Sequence, residues 1–306
     1  MISRNTSIDI LKIFLTIFIV LIHCQFYNEY NETIYYLTAQ GIFRMAVPIF
    51  FLINGYFFSY IIVNKKIKKW TLKGIILYSV WMIIYSPFWF SLNIKLNIIF
   101  ILFGYYHLWY INAMIISGIL LYILKRVKPK NLLILAFLLF LVGVIIQYLA
   151  NYHILKLNII YSYRNFLFLG LPFFIIGYLI KVQGWKKRIT CKQVVFLISI
   201  GSIILIAESY LNFVHTRTGI DNLFSLIIIS PLIYIYVLKL NIKYKVNSKN
   251  LSLICTSVYL VHPLIMKVLT KFHQFDSTLS ALLTLTISVT ISFIILKINK
   301  KINILL

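Results

Sequence analysis

Lys12 and His23 stand eleven residues apart in an apolar run. At 100° per residue that is about 1100°, some 20° from three full turns, so a helix puts both on one face about 16 Å apart. Such a face joins a cation that can hold an anion to an imidazole that can take a proton from a hydroxyl. The spacing equally fits a plainer arrangement, with Lys12 paired to Asp9 three residues earlier and His23 packed as a hydrogen-bonded ring. Arg44, His107, Trp109, Arg164, Asn165, Glu208 and His262 extend the set, each within or at the edge of a strongly apolar stretch. An ionisable group at membrane depth costs roughly 2.5 to 3.5 kcal/mol, which makes these residues the candidates for chemistry. Any one of them also reads as an interfacial or snorkelling side chain. The set is harder to dismiss, because Glu208 calls for a cationic partner and Arg44 or Arg164 at the same depth could supply it. His262, in Tyr-Leu-Val-His-Pro263, is either a second functional imidazole or a donor at a proline break, and the sequence leaves both open. His153, His215 and His273 fall in or near loops and are expected to be solvated. The three cysteines are far apart and odd in number, and neither a disulfide framework nor a metal site is expected.

The elements that position these residues must be membrane helices. With 61% hydrophobic and 12% charged residues and a mean hydropathy of +0.94, the chain has too much apolar surface to cover in water. The fold class expected is an all-α polytopic membrane bundle of about ten transmembrane helices, a single membrane domain over 1–306. The helices are placed at 8–26, 42–63, 71–90, 107–124, 131–150, 165–181, 194–212, 222–240, 252–271 and 278–296, with Thr6 or Ser7 capping the first. That first run has no small-residue cleavage site, so it reads as a retained helix. A net charge of +24 invites a nucleic-acid partner, but the basic residues sit in short connectors and not on one soluble face. With both termini cytoplasmic, twenty-two of the 30 Lys and Arg fall on the inner side in every second connector, as the positive-inside rule requires. That orientation brings His23, Arg44, His107, Arg164 with Asn165, and Glu208 to the outer half of the bilayer. The inner basic loops suit anionic lipid headgroups or an anionic cytosolic ligand.

Several stretches resemble the acyltransferase-3 family of bacterial membrane O-acyltransferases. Ile-Asp-Ile-Leu-Lys12, ten residues and then His23 is similar to its opening motif, in which the first position is usually Arg. Arg44-Met-Ala-Val-Pro-Ile-Phe-Phe-Leu-Ile-Asn-Gly-Tyr-Phe57 resembles its second-helix signature, and His107-Leu-Trp-Tyr110 its short aromatic motif. Arg164 to Gly177 and Val258-Tyr-Leu-Val-His-Pro263 are also similar to family segments, so the likeness covers nearly the whole chain. The resemblance implies transfer of an acyl group, commonly acetyl, from cytosolic acyl-CoA to a cell-surface glycan or lipid-linked sugar. His23 would be the central catalytic residue and Lys12 would meet the donor, keeping the charge of the usual Arg but not its bidentate fork. No bound cofactor is implied, acyl-CoA being a substrate, and the location implied is a bacterial plasma (inner) membrane. Within this scheme Glu208 orients the imidazole or pairs an arginine, while Arg44, His107, Trp109, Arg164, Asn165 and His262 bind the acceptor or stabilise developing charge. Ten helices with polar residues at depth would also suit a small-molecule transporter, or a membrane module without acyl transfer, although no inverted repeat is visible.

Overall fold

The computed structural model describes residues 5–155, 160–240, 242 and 248–306, so Arg4, Lys156, Lys243 and Lys245 of the charge pattern lie outside the described residues. The described chain is built from α1 (Thr6–His23), α2 (Glu32–Thr38), α3 (Ala46–Val63), α4 (Ile67–Ile84), α5 (Ser86–Trp89), α6 (Ile94–Phe103) and α7 (Trp109–Leu124). It continues with α8 (Pro129–Asn151), α9 (Leu171–Val182), α10 (Trp185–Arg188), α11 (Cys191–His215), α12 (Leu226–Leu240), α13 (Ser248–Phe272) and α14 (Ser277–Ile302). Among the described residues seven helical runs are long and apolar enough to cross a membrane, and α6, α12 and the run Phe166–Val182 are shorter apolar helices. Their outward faces carry large apolar side chains such as Phe196, Ile203 and Phe293, which only a lipid surround makes tolerable. The protein is a polytopic helical membrane bundle.

Local signals set the helix ends. Asn5, not Thr6 or Ser7, caps α1 by accepting the Ser7 N–H at 3.0 Å. Thr190 and Gln193 form a capping box on α11, and Asp276 accepts the Leu279 N–H at the start of α14. The stretch expected as one helix over 71–90 begins earlier, at Ile67, and breaks at Tyr85 before the short α5. Three helices were not expected, because the seven-residue α2, the ten-residue α6 and the four-residue α10 are too short to produce a spanning-length apolar run.

The chain packs as two compact units, one formed by 1–50 with 189–304 and the other by 51–188. In the first, α1 packs on α12, α13 and α14, and α11 packs on α12 and α2. Val20 and Cys24 of α1 meet Val258 of α13 and Ala281 of α14 in its core. In the second, α7 packs on α4 and α9, and α8 lies against α9. Phe58 meets Phe174, and Phe140 meets Phe173, edge-on with ring centres 5.2 and 5.1 Å apart. Here α3 and α9 touch backbone to backbone. A Cβ on Gly55 would lie 1.9 Å from the Phe174 carbonyl oxygen, and one on Gly177 would lie 2.1 Å from that of Leu52. Lipid gives helices no hydrophobic drive to associate, so such close contact is what holds them.

Candidate functional site

In the first unit the parallel helices α1 and α13 place the sequence's leading candidates side by side. At one end the Lys12 ammonium donates to the Ser252 hydroxyl at 3.0 Å and lies 3.4 Å from the buried Asp9 carboxylate. The plainer arrangement weighed for Lys12, its pairing with Asp9, is therefore present. Midway along, Thr16 lies beside Cys255, its hydroxyl donating to the Lys12 carbonyl at 2.8 Å. At the other end the His23 and His262 rings face each other, centres 5.2 Å apart and planes tilted by 41°. His23 is the last residue of α1 and half-buried, whereas His262 is fully buried. The His262 Nδ1 lies 3.2 Å from the Val258 carbonyl oxygen. The two imidazoles are thus one constellation, which the spacing within α1 could not reveal.

Arg44 lies in the tight turn Ile42–Met45, where Phe43 stacks on Phe18 of α1 at 4.5 Å. Its guanidinium donates to the Asp221 carboxylate and to the Gln40 side-chain carbonyl, and the Gln40 amide donates to the Tyr35 hydroxyl. The Arg44–Asp221 pair is largely buried, with each side chain 13% exposed. The carboxylate beside Arg44 is therefore Asp221, which the sequence reading did not single out. Glu208 accepts the N–H groups of Phe224 and Ser225, one on each oxygen, just before α12. An anion at that position offsets the unmet donors and dipole of the α12 N-terminus and fixes the segment that bears Asp221. The one sequence signal for Asp221 was scarcity, since the chain holds six acidic residues in all and none between 51 and 188.

The remaining candidates belong to the second unit. His107 is buried with its ring edge-on to Tyr85, centres 5.0 Å apart. The Arg164 guanidinium sits 5.4 Å from the centre of the buried Trp109 ring, a cation–π contact. Asn165 accepts the N–H groups of Leu167 and Phe168 and donates to the carbonyls of Tyr161 and Ser162. Its amide thus holds the turn that launches the wide helical segment Phe166–Gly170 and α9.

A family model described as an acyltransferase domain, Acyl_transf_3, matches residues 5–297. The chain belongs to the acyltransferase-3 family. As a member of this acyltransferase family, it carries Lys12, His23, Arg44, His107, Arg164 and His262 inside the matched region. Curated relatives include an amino-acid racemase of Enterococcus faecalis, 27% identical over 98% of this chain and 47% of that protein. A serine/alanine racemase of Enterococcus gallinarum is 27% identical over 68% of this chain and 34% of that protein. The chain spans less than half the length of these relatives. No solved structure matches.

Proposed function

We propose that this membrane acyltransferase moves an acyl group, acetyl in the simplest case, from cytosolic acyl-CoA to a hydroxyl of an extracytoplasmic glycan or lipid-linked sugar. The observation that carries the reading is His23, half-buried at the end of α1 against His262, within a family match running from residue 5 to 297. In the reaction a His23 nitrogen takes the acceptor O–H proton as the oxygen bonds to the acyl carbon. The carbon–sulfur bond of the donor thioester breaks, and the proton leaves His23 for the departing thiolate. Lys12 with the basic connectors attracts the donor's phosphates. The location in this reading is a bacterial plasma membrane with His23 toward the outside, consistent with the alternation of basic connectors.

The test uses inverted membrane vesicles given radiolabelled acetyl-CoA, with label followed into lumenal polymer and lipid-linked sugar. Label should accumulate with the native chain and fall to background with His23→Ala at equal folded protein; undiminished transfer by that variant ends the reading.

The names of the relatives favour a second reading. Proteins called amino-acid and serine/alanine racemases share this segment over less than half their length. In that reading it is a membrane module that carries an amino acid for a racemase. Counterflow of labelled serine in vesicles, without acyl transfer, would select it.

A further inference from the structure

The segment that joins α13 to α14 and the turn that follows α1 border a cavity of about 560 Å³, the size of a small-ligand site. Eight residues of the first unit line it, among them Glu29, His273, Gln274, Phe275, Asp276 and Ser280. Glu29 accepts the Ser277 N–H and Asp276 the Leu279 N–H, each at 2.8 Å through one oxygen, so the start of α14 fixes both carboxylates in place. Neither contact brings positive charge, and nor does the Tyr30 hydroxyl beside Asp276. The lining holds no Lys or Arg, although the chain carries 30 such residues against six acids. Two of those six acids share this one cavity, which therefore suits a ligand that supplies the positive charge itself. The other walls narrow the choice. Phe275, edge-on to the His273 ring with centres 4.8 Å apart, gives an apolar face, while the Gln274 amide and the Ser280 hydroxyl both donate and accept. An ammonium carried on a hydroxylated ring matches all three features. A free amino acid does not, because its own carboxylate would meet two of like charge. We propose that this cavity is a subsite for an amino-sugar unit of the acceptor, its ammonium held by Glu29 and Asp276; the inference rests on the acyl-transfer reading. Ser280 lies beside Cys24, the residue after His23, so the cavity stands at the His23 end of α1. Thr270 of its wall is eight residues past His262, about 12 Å along α13. The unit held there is thus a neighbour of the one that reacts, and it supplies binding energy away from the reacting hydroxyl.

The test is direct binding to the full chain in detergent, measured by saturation-transfer NMR with methyl glucosaminide, its N-acetyl derivative, methyl glucoside and serine as probes. The glucosaminide should bind about tenfold more tightly than either neutral sugar. Equal affinity for the three sugars, or no binding of the amine, overturns the proposal. Serine bound as tightly as the glucosaminide overturns the amino-sugar assignment. Glu29→Gln with Asp276→Asn keeps an oxygen for the Ser277 and Leu279 N–H groups and removes only the charge. That double variant should bind the glucosaminide about tenfold more weakly and the neutral sugars as before; unaltered binding of the amine overturns the proposal. If the double variant fails to fold, the comparison of probes on the native chain decides alone. In inverted vesicles the double variant should also label lumenal polymer several-fold more slowly, with the KM for acetyl-CoA unchanged. Selective binding of the amine without any acetyl transfer would leave the amine site standing while the acyl-transfer reading fails.

Discussion

Burial makes single side chains expensive to disturb where charges meet. Arg44 and Asp221 are each mostly buried, so removing one leaves the other uncompensated in a medium that solvates it poorly. Asp221→Ala should lower stability by about 3 kcal/mol, and the double replacement Arg44→Met with Asp221→Leu should recover most of that loss. Thermal unfolding of the detergent-solubilised single and double variants measures the coupling; strictly additive losses would show the pair does not interact. Asn165 presents the opposite case. Its amide meets four backbone groups, so Asn165→Ala should cost about 1 kcal/mol of stability and leave the transfer rate per folded molecule unchanged. A large fall in rate at constant folded protein would return Asn165 to the acceptor site. At this scale the sequence marked the right residue types, because an imidazole or guanidinium in an apolar run is visible without coordinates. It did not supply their partners. Asp221 lies 177 residues from Arg44, and no periodicity links positions so distant.

Helices are legible where length and apolarity coincide, and lost where they do not. The spanning-length runs fell close to α1, α3, α7, α8, α11, α13 and α14, since lipid demands an apolar stretch of fixed minimum length. α2 and α6 escaped because short helices are stabilised by caps and packing, such as Asn31 accepting the Ile34 N–H, and not by length. Close backbone contact is equally invisible in one dimension. Gly55→Ala and Gly177→Ala each drive a methyl group into a carbonyl oxygen and should destabilise the α3–α9 contact by about 2 to 3 kcal/mol. Fluorescence-detected size exclusion should show loss of monodisperse protein for both, whereas Gly184→Ala, with nothing within 4 Å but a positive φ of 64°, should show a milder effect. Equal behaviour of all three would refute a packing requirement at Gly55 and Gly177.

Across the molecule the distribution of basic connectors predicts an orientation in the bilayer. Cys191 is exposed at the start of α11 beside Lys192, whereas Cys24 and Cys255 are buried. If basic connectors face the cytoplasm, an impermeant maleimide should label the native chain in inverted vesicles and spare it in intact cells. Labelling of intact cells would reverse the topology and place His23 on the inner side. The sequence by itself determined the solvent, the helical class and the list of polar residues that lipid makes costly, because hydropathy and charge are additive properties of a chain read in order. Only the tertiary structure decided which of those residues meet: His23 with His262, Lys12 with Ser252 as well as Asp9, and Arg44 with Asp221. The reason is that a membrane fixes the depth of each helix through its length, but the rotation of a helix and the choice of its neighbour follow from side-chain packing among distant segments.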